Sequence, residues 1–435
     1  MPRTATLPAP SLDITHHTLG NGLRVVLAPD RSAPVVGVAV LYDVGIRSEP
    51  EGRTGFAHLF EHLMFQGSAH LEKLEHFRYV QSSGGTFNGS THFDYTNYFE
   101  TVPSNALERV LYLEADRMLS PRITAENLAN QLEVVKNEIR VNVLNRPYGG
   151  FPWIYLPAVL FDTFANSHNG YGGFEDLESA TEDDARDFFA RYYAPANAVL
   201  AVVGDVDVDG AIAMIEEHFG GIRRRRAPKR PSFAEPPLTA ERRATHDDAM
   251  ATTPAVAIGY RLPDPVGDLD AHLARVLLAE LLSDGDAARL QRRLVQREEL
   301  VTDVAAYIGE FGDPFDEREP TVFTISAHYP DAGSLDAVLA GVDDELARVA
   351  ADGLAPGELD RVRTRLVSVL LRELDSVTSR TLELAKFELL HGRAELIAEL
   401  PRRLTGVDED ALRAAAAALR PDGRAVLELV AGGAS

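Results

Sequence analysis

His58-Leu59-Phe60-Glu61-His62 reads His-x-x-Glu-His, the reverse of the common His-Glu-x-x-His zinc motif. On a helix, residues four apart leave the same face, so the imidazoles of His58 and His62 can share one metal ion. Glu61 lies three residues after the first imidazole and one before the second. From there its carboxylate can reach a metal-bound water without being a ligand, which is the placement of a general base. Phe56, Leu59, Leu63 and Phe65 give the same helix an apolar side to pack, and such a polar trio is costly there without a compensating partner. The alternative, two helix histidines that cap or pair with acids, leaves that cost unexplained.

Outward from this motif, the chain of 435 residues is long enough for two or more domains, and its 45% hydrophobic content is that of a globular protein. The longest apolar runs, Val35–Tyr42 and 198–203, fall far short of a membrane span. Residues 1–8 hold no apolar core of signal-peptide length, so the expectation is a cytoplasmic protein with no membrane partner. There is no cysteine, so any zinc must be held by His, Asp or Glu. A net charge of −23 argues against nucleic acid as a partner, which calls for a basic face. An acidic surface favours basic or neutral peptides, or simply keeps the chain soluble.

The same unit is written twice. In the first copy the strand at 35–42 leads through a Gly/Pro/acid loop, 44–54, into the motif helix; in the second, 254–260 leads through Pro263-Asp264-Pro265 into a helix at 269–282. A strand follows in each, at 95–100 and 321–326, then an amphipathic helix, at 104–118 and 334–351. A long helix begins after Thr124-Ala125-Glu126 in one and after Ala355-Pro356-Gly357-Glu358 in the other, and each copy closes with an acid-led helix and a strand. Strand and helix periods mix without strict alternation, which predicts an α+β fold of two homologous domains, each a mixed or antiparallel sheet packed by helices. The expected domains are 1–222 and 239–435. The Arg- and Pro-rich stretch 223–238 between them reads as a linker, with a nucleic-acid or acidic-partner patch as its alternative. The second copy has no metal motif: His272 has no partner at helical spacing and reads as a core or surface residue.

A catalytic zinc needs a third protein ligand. The helix predicted over 125–144 offers Glu126, Glu133 and Glu138. Glu138 is set in Val134-Val135-Lys136-Asn137-Glu138-Ile139, where a carboxylate would be buried unless paired or metal-bound. It reads equally well as a surface acid, and the residues alone leave both readings open.

Over its whole length the chain resembles the pitrilysin/insulin-degrading-enzyme superfamily, in the branch of the mitochondrial processing peptidase and its bacterial relatives. The matching stretches are Gly55 to Phe65, Asn88-Gly89-Ser90-Thr91, Asn97-Tyr98-Phe99-Glu100, Leu113-Glu114-Ala115-Asp116-Arg117-Met118, Val134 to Glu138 and Tyr192 to Ala198. The resemblance implies that His58, His62 and Glu138 bind Zn2+, that Glu61 activates the water, and that the chain is half of a clamshell acting on unfolded or extended peptides. It also implies that the strand at 86–91 pairs with the peptide backbone, through Asn88, Gly89 and Ser90. From the residues alone, Asn88-Gly89 is a plain tight turn.

Two positions depart from the pattern. Single-chain relatives carry an Arg and, seven residues on, a Tyr in the second half, where this chain has Val295 and Thr302; Arg297 and Tyr307 are out of register. That absence points to a related second chain supplying the pair, or to a homodimer. Gln131 replaces a common Glu seven residues before Glu138 and is expected to support the site by donating a hydrogen bond to a ligand. The expected activity is that of a zinc metalloendopeptidase subunit. Its rivals are a non-catalytic docking subunit of the same family and a purely structural zinc site, the latter disfavoured because such sites usually close with Cys.

Overall fold

A computed structural model describes residues 12–432. The first sheet is built from β1 (Thr15–Thr18), β2 (Arg24–Pro29), β3 (Val35–Tyr42), β4 (Thr86–Thr91), β5 (Thr96–Pro103) and β6 (Ala198–Gly204), in the spatial order β1-β2-β6-β3-β5-β4. The second contains β7 (Arg242–Asp248), β8 (Ala255–Leu262), β9 (Asp303–Ile308), β10 (Thr321–His328) and β11 (Arg424–Ala431), in the order β7-β11-β8-β10-β9. Apart from β1 the two orders correspond strand for strand. In each, one pairing is parallel, β2 with β6 and β7 with β11, and the rest are antiparallel. The duplication read from the sequence is thus a duplication of topology, and the fold is α+β with two sheets dressed by helices.

The central strands explain themselves. Along β3 every residue from Val36 to Tyr42 is buried, and β6 is buried throughout, as expected of strands covered on both faces. β4 instead mixes exposed and half-buried residues and, among the described residues, pairs with β5 alone, so its outer side is a sheet edge there. The helices that matter for the site are α1 (Phe56–Leu63), α2 (Glu75–Ser82), α3 (Leu107–Leu119) and α4 (Ala125–Ile139). The helix expected through 144 keeps α geometry only to Ile139 and widens into a π turn over Arg140–Leu144.

The strands divide at 223–238, a stretch with no helix or strand. The helices do not follow that division. Packing groups the residues up to 137 with 170–231 and 370–400 as one unit, and 138–169 with 232–369 and the residues from 401 as the other. Each unit thus borrows a segment from the opposite half of the chain. In the first, helix Val377–His391 lies on β3 and β6. It rests where Gly37 offers no side chain, since a Cβ there would come within 2.2 Å of Thr381 Oγ1. Thr101 and Thr378 hydroxyls meet at 2.6 Å, and Arg380 pairs with Asp30 at 2.7 Å. In the second unit, α5 (Leu156–Leu160) packs on β8 and β11 over Gly259, and Leu156, Leu160 and Phe161 form a core cluster with Ala257, Val322, Ala425 and Leu427. A glycine in the matching central strand of each sheet therefore seats the borrowed helix.

Two of the arginines between the halves serve the first unit. Arg225 donates to the Tyr193 carbonyl and lies over the Phe189 ring, 4.9 Å from its centroid. Arg230 pairs with Asp43 at 3.0 Å and with Asp94, which is also bound by the buried Arg47 at 2.9 Å.

Candidate metal centre

The motif helix starts at Gly55, whose φ of +83° and contact with the Tyr171 carbonyl, 2.5 Å from where a Cβ would stand, require glycine. The first turn of α1 is capped from a distance. The buried Glu49 carboxylate accepts from the amides of Gly55 (2.8 Å) and Ala57 (2.7 Å), placing negative charge at the positive end of the helix. A capping interaction of this kind contributes about 0.5–2 kcal/mol. Asp176 fixes the preceding residue by accepting from the Thr54 amide and hydroxyl at 3.0 and 2.6 Å. Phe56, Leu59, Phe60 and Leu63 face the core, so the opposite face of α1 presents the polar residues.

On that face His58 and His62 stand with ring centroids 4.8 Å apart, their planes at 85°. α4, nearly all of whose residues belong to the first unit, brings Glu138 to them. One ligand atom from each of His58, His62 and Glu138 lies within 4.8 Å of the others, a spacing that a single ion can bridge. Burial first, and the neighbouring His62 second, hold His58 down to about 3, so at neutral pH it is an uncharged imidazole, the form that ligates a metal. Two imidazoles and one carboxylate, with no thiolate, form a donor set that suits zinc and leaves a coordination position open. Tyr171 packs edge-on against His58, ring centroids 5.1 Å apart.

Of the other acids on α4, Glu133 points outward and pairs with Lys136 at 2.6 Å. Gln131 is buried beside His62, with its Oε1 3.2 Å from Nδ1. Its amide donates to Asn130 instead, at 2.8 Å. Gln131 therefore accepts from His62 rather than donating to a ligand, correcting the sequence expectation. In that tautomer Nδ1 carries the proton and Nε2 is left for a metal.

Glu61 stands outside the three-ligand group, and its Oε2 accepts a 2.7 Å hydrogen bond from Thr91 Oγ1 at the end of β4. Asn88, Gly89 and Ser90 occupy the same edge strand. Asn88 Oδ1 accepts from the Gly89 amide at 3.0 Å. A Cβ on Gly89 would come within 3.1 Å of the Phe65 ring, which keeps this stretch flat against α1. Ser90 Oγ is held by Asn97 Nδ2 and His92 Nε2, both at 2.8 Å. Sequence reasoning overlooked Thr91, Glu49 and Tyr171. Only Thr91 left a signal, at the end of a stretch already singled out.

His76, Glu100 and Glu114 also bring ligand-type atoms within 4.8 Å of one another, all buried. Here Arg117 takes the place of an ion. Its guanidinium pairs with Glu114 and with Glu100 (3.6 Å) and stacks on Phe65 and Tyr98, 4.9 and 4.3 Å from their centroids. The cluster is an internal polar network centred on the Arg117 guanidinium. His272 is likewise structural: it is fully buried, with Nε2 2.8 Å from the Pro314 carbonyl oxygen.

Residues 24–147 match the family model described as insulinase (peptidase family M16), and residues 179–366 match the M16 inactive domain. The chain belongs to peptidase family M16. Among M16 relatives, the zinc protease PqqE of Helicobacter pylori is 29% identical over 376 residues, covering 82% of this chain and 80% of that protein. A probable mitochondrial-processing peptidase subunit beta of Arabidopsis thaliana is 23% identical over 411 residues, covering 94% and 76%. The crystal structure of a protease from Helicobacter pylori superimposes with a TM-score of 0.87 at 25% identity, covering 97% of this chain and all of the other. Among the described residues no helix is long and apolar enough to cross a membrane.

Proposed function

We propose that this M16 chain is a zinc-dependent endopeptidase subunit acting on extended peptides. The observation that carries the proposal is the convergence of His58, His62 and Glu138, with Glu61 on the same helix but outside the ligand group. His58, His62 and Glu138 would hold the zinc. When bound, the metal polarises a scissile carbonyl and lowers the pKa of water to about 7. Glu61 is the general base. It takes a proton from the attacking water and delivers it to the leaving amine nitrogen, so the peptide bond breaks with one proton transferred and none lost. Thr91 holds the Glu61 carboxylate in place, and Gln131 holds the His62 ring. The outer edge of β4, unpaired among the described residues, offers main-chain groups to an extended peptide, with Asn88 and Gly89 the first candidates to meet it. Such pairing gives affinity with little sequence preference.

Val295 and Thr302 provide neither guanidinium nor phenol, and Thr302 spends its hydroxyl on the His328 carbonyl at 3.2 Å. The proposal therefore includes a second, related chain, or a second copy, supplying the polar groups that stabilise charge on the substrate carbonyl. Metal content and fluorogenic-peptide hydrolysis of wild type and Glu61→Gln, each alone and with a candidate partner chain, test both parts. Zinc in both proteins with hydrolysis only in wild type supports the mechanism, and dependence on the partner supports the split site. Zinc without hydrolysis under every pairing supports a docking subunit instead, and absence of zinc refutes the metal assignment.

A further inference from the structure

Arg223-Arg224-Arg225-Arg226-Ala227-Pro228-Lys229-Arg230 places six cations in eight residues of a chain whose net charge is −23, and no acid lies between Glu217 and Glu235. The six are of two kinds. Arg225 and Arg230 are spent: one donates to the Tyr193 carbonyl and lies over the Phe189 ring, the other pairs with Asp43 and Asp94. Arg223, Arg224, Arg226 and Lys229 are exposed, and among the described residues none of the four has an ion pair or a side-chain hydrogen bond. Like charges set this closely along a chain repel one another, a cost that an incoming anion relieves. The two spent arginines tether the stretch to the first unit at 225 and at 230, so the four unpaired cations are displayed on a segment already held in place.

From 223 to 229 the backbone makes neither helix, strand nor turn. At about 3.3–3.6 Å per residue it reaches up to about 20 Å, so the charges form a line and not a cup. A compact anion such as phosphate meets one or two of them. A nucleic-acid duplex or an anionic lipid surface extends past the stretch and there meets a protein that is acidic as a whole. The screening length is about 8 Å at physiological ionic strength, so a guest responds to the charges it lies against. The guest that matches is a short extended segment bearing several carboxylates.

The location of the stretch points to a peptide. Asp94, held by Arg230, lies in the turn between β4 and β5, three residues past Thr91, whose hydroxyl binds the Glu61 carboxylate. The basic stretch is thus fastened to the turn that ends the edge strand on which an extended peptide would pair.

We propose that Arg223, Arg224, Arg226 and Lys229 form a docking surface for an acidic segment of a peptide substrate. That the segment belongs to a substrate rests on the peptidase reading; the preference for a line of carboxylates does not. The experiment is fluorescence anisotropy on the full chain carrying Glu61→Gln, which leaves a peptide uncut. The probes are a labelled hexaglutamate peptide, its hexaglutamine counterpart and a labelled hexathymidylate. The expected result is saturable binding of the glutamate peptide, with the glutamine peptide at least about tenfold weaker. Raising the ionic strength from about 0.1 to about 1 M, which shortens the screening length from about 10 to about 3 Å, should weaken the glutamate peptide by a similar factor. Arg223→Gln, Arg224→Gln, Arg226→Gln and Lys229→Gln combined should bring the glutamate peptide down to the level of the glutamine peptide, with the urea midpoint unchanged because the four side chains are exposed. Equal binding of the two peptides, indifference to salt, or an unaffected fourfold variant overturns the proposal. Tighter binding of the oligonucleotide than of the glutamate peptide overturns the peptide as guest. Docking without cleavage of the same peptide by the wild-type chain overturns its role as substrate and leaves the docking surface established.

Discussion

Thr91→Val isolates one contact at the site. Valine keeps the shape and β-branching of threonine, so β4 loses only the hydroxyl that donates to Glu61 at 2.7 Å. A hydrogen bond to a charged acceptor contributes about 1.5–3 kcal/mol, and both partners here are half-buried, which places the expected cost near the lower end. If the bond's role is to aim the base, about 1.4 kcal/mol appears as a roughly tenfold fall in kcat. KM is expected to stay constant, because Thr91 Oγ1 is spent on Glu61. Zinc content is expected to stay at the wild-type level, because the hydroxyl touches none of His58, His62 and Glu138. Thr91→Ser, which restores the donor, should recover most of the rate. The assay is steady-state cleavage of a fluorogenic peptide beside metal analysis of the same preparations. A rate within a factor of two of wild type refutes the positioning role. So does a loss of rate matched by an equal loss of zinc.

Three further outcomes follow from the packing described above. Gln131→Leu removes the acceptor for His62 Nδ1 and should weaken zinc binding 10- to 100-fold in a chelator competition, while Gln131→Glu, which still accepts, should retain it. Gly37→Val drives a branched side chain toward Thr381, and the urea midpoint should fall by the equivalent of about 1–3 kcal/mol. Burial pushes Glu114 up to about 8, against the opposing pull of Arg117. Its folded value lies above the unfolded one, so the native state keeps a proton that the unfolded chain releases, and this contribution to stability is lost as pH rises from about 4.5 to about 8. Glu114→Gln, which cannot ionise but still offers Arg117 an oxygen, should show a shallower decline than wild type over that window in denaturant titrations; parallel curves would rule out the assignment.

What the sequence made legible was local or periodic. His58, Glu61 and His62 declare themselves because helix geometry alone puts the two imidazoles on one face. The two copies declare themselves because buried strands and amphipathic helices recur in the same order. Glu138 was legible only in part: helical spacing cannot say which face of α4 meets another helix, so a ligand and a surface acid look alike until α1 is placed. Gln131 shows a subtler limit. Its presence near the site was foreseeable, but an amide can donate or accept, and only the position of Asn130 settles which end faces His62. Glu49 was invisible because a cap reached across a loop follows no fixed spacing. The exchange of helices was invisible for a different reason: the sign is a missing side chain at Gly37 and at Gly259, and a glycine in a strand announces a close approach without naming what approaches.

That exchange has a consequence for synthesis. The ribosome delivers β1 to β6 and the whole metal-site motif long before it delivers residues 370–400, the segment that covers β3 and β6. At about 5–20 residues per second, the first sheet waits roughly ten seconds or more with an apolar face open to solvent or to a chaperone. The first unit is therefore not a module that matures as it emerges, and its completion waits for residues from the second half of the chain. Duplication made two copies, and the exchanged segments make each compact unit depend on residues from both halves of the chain.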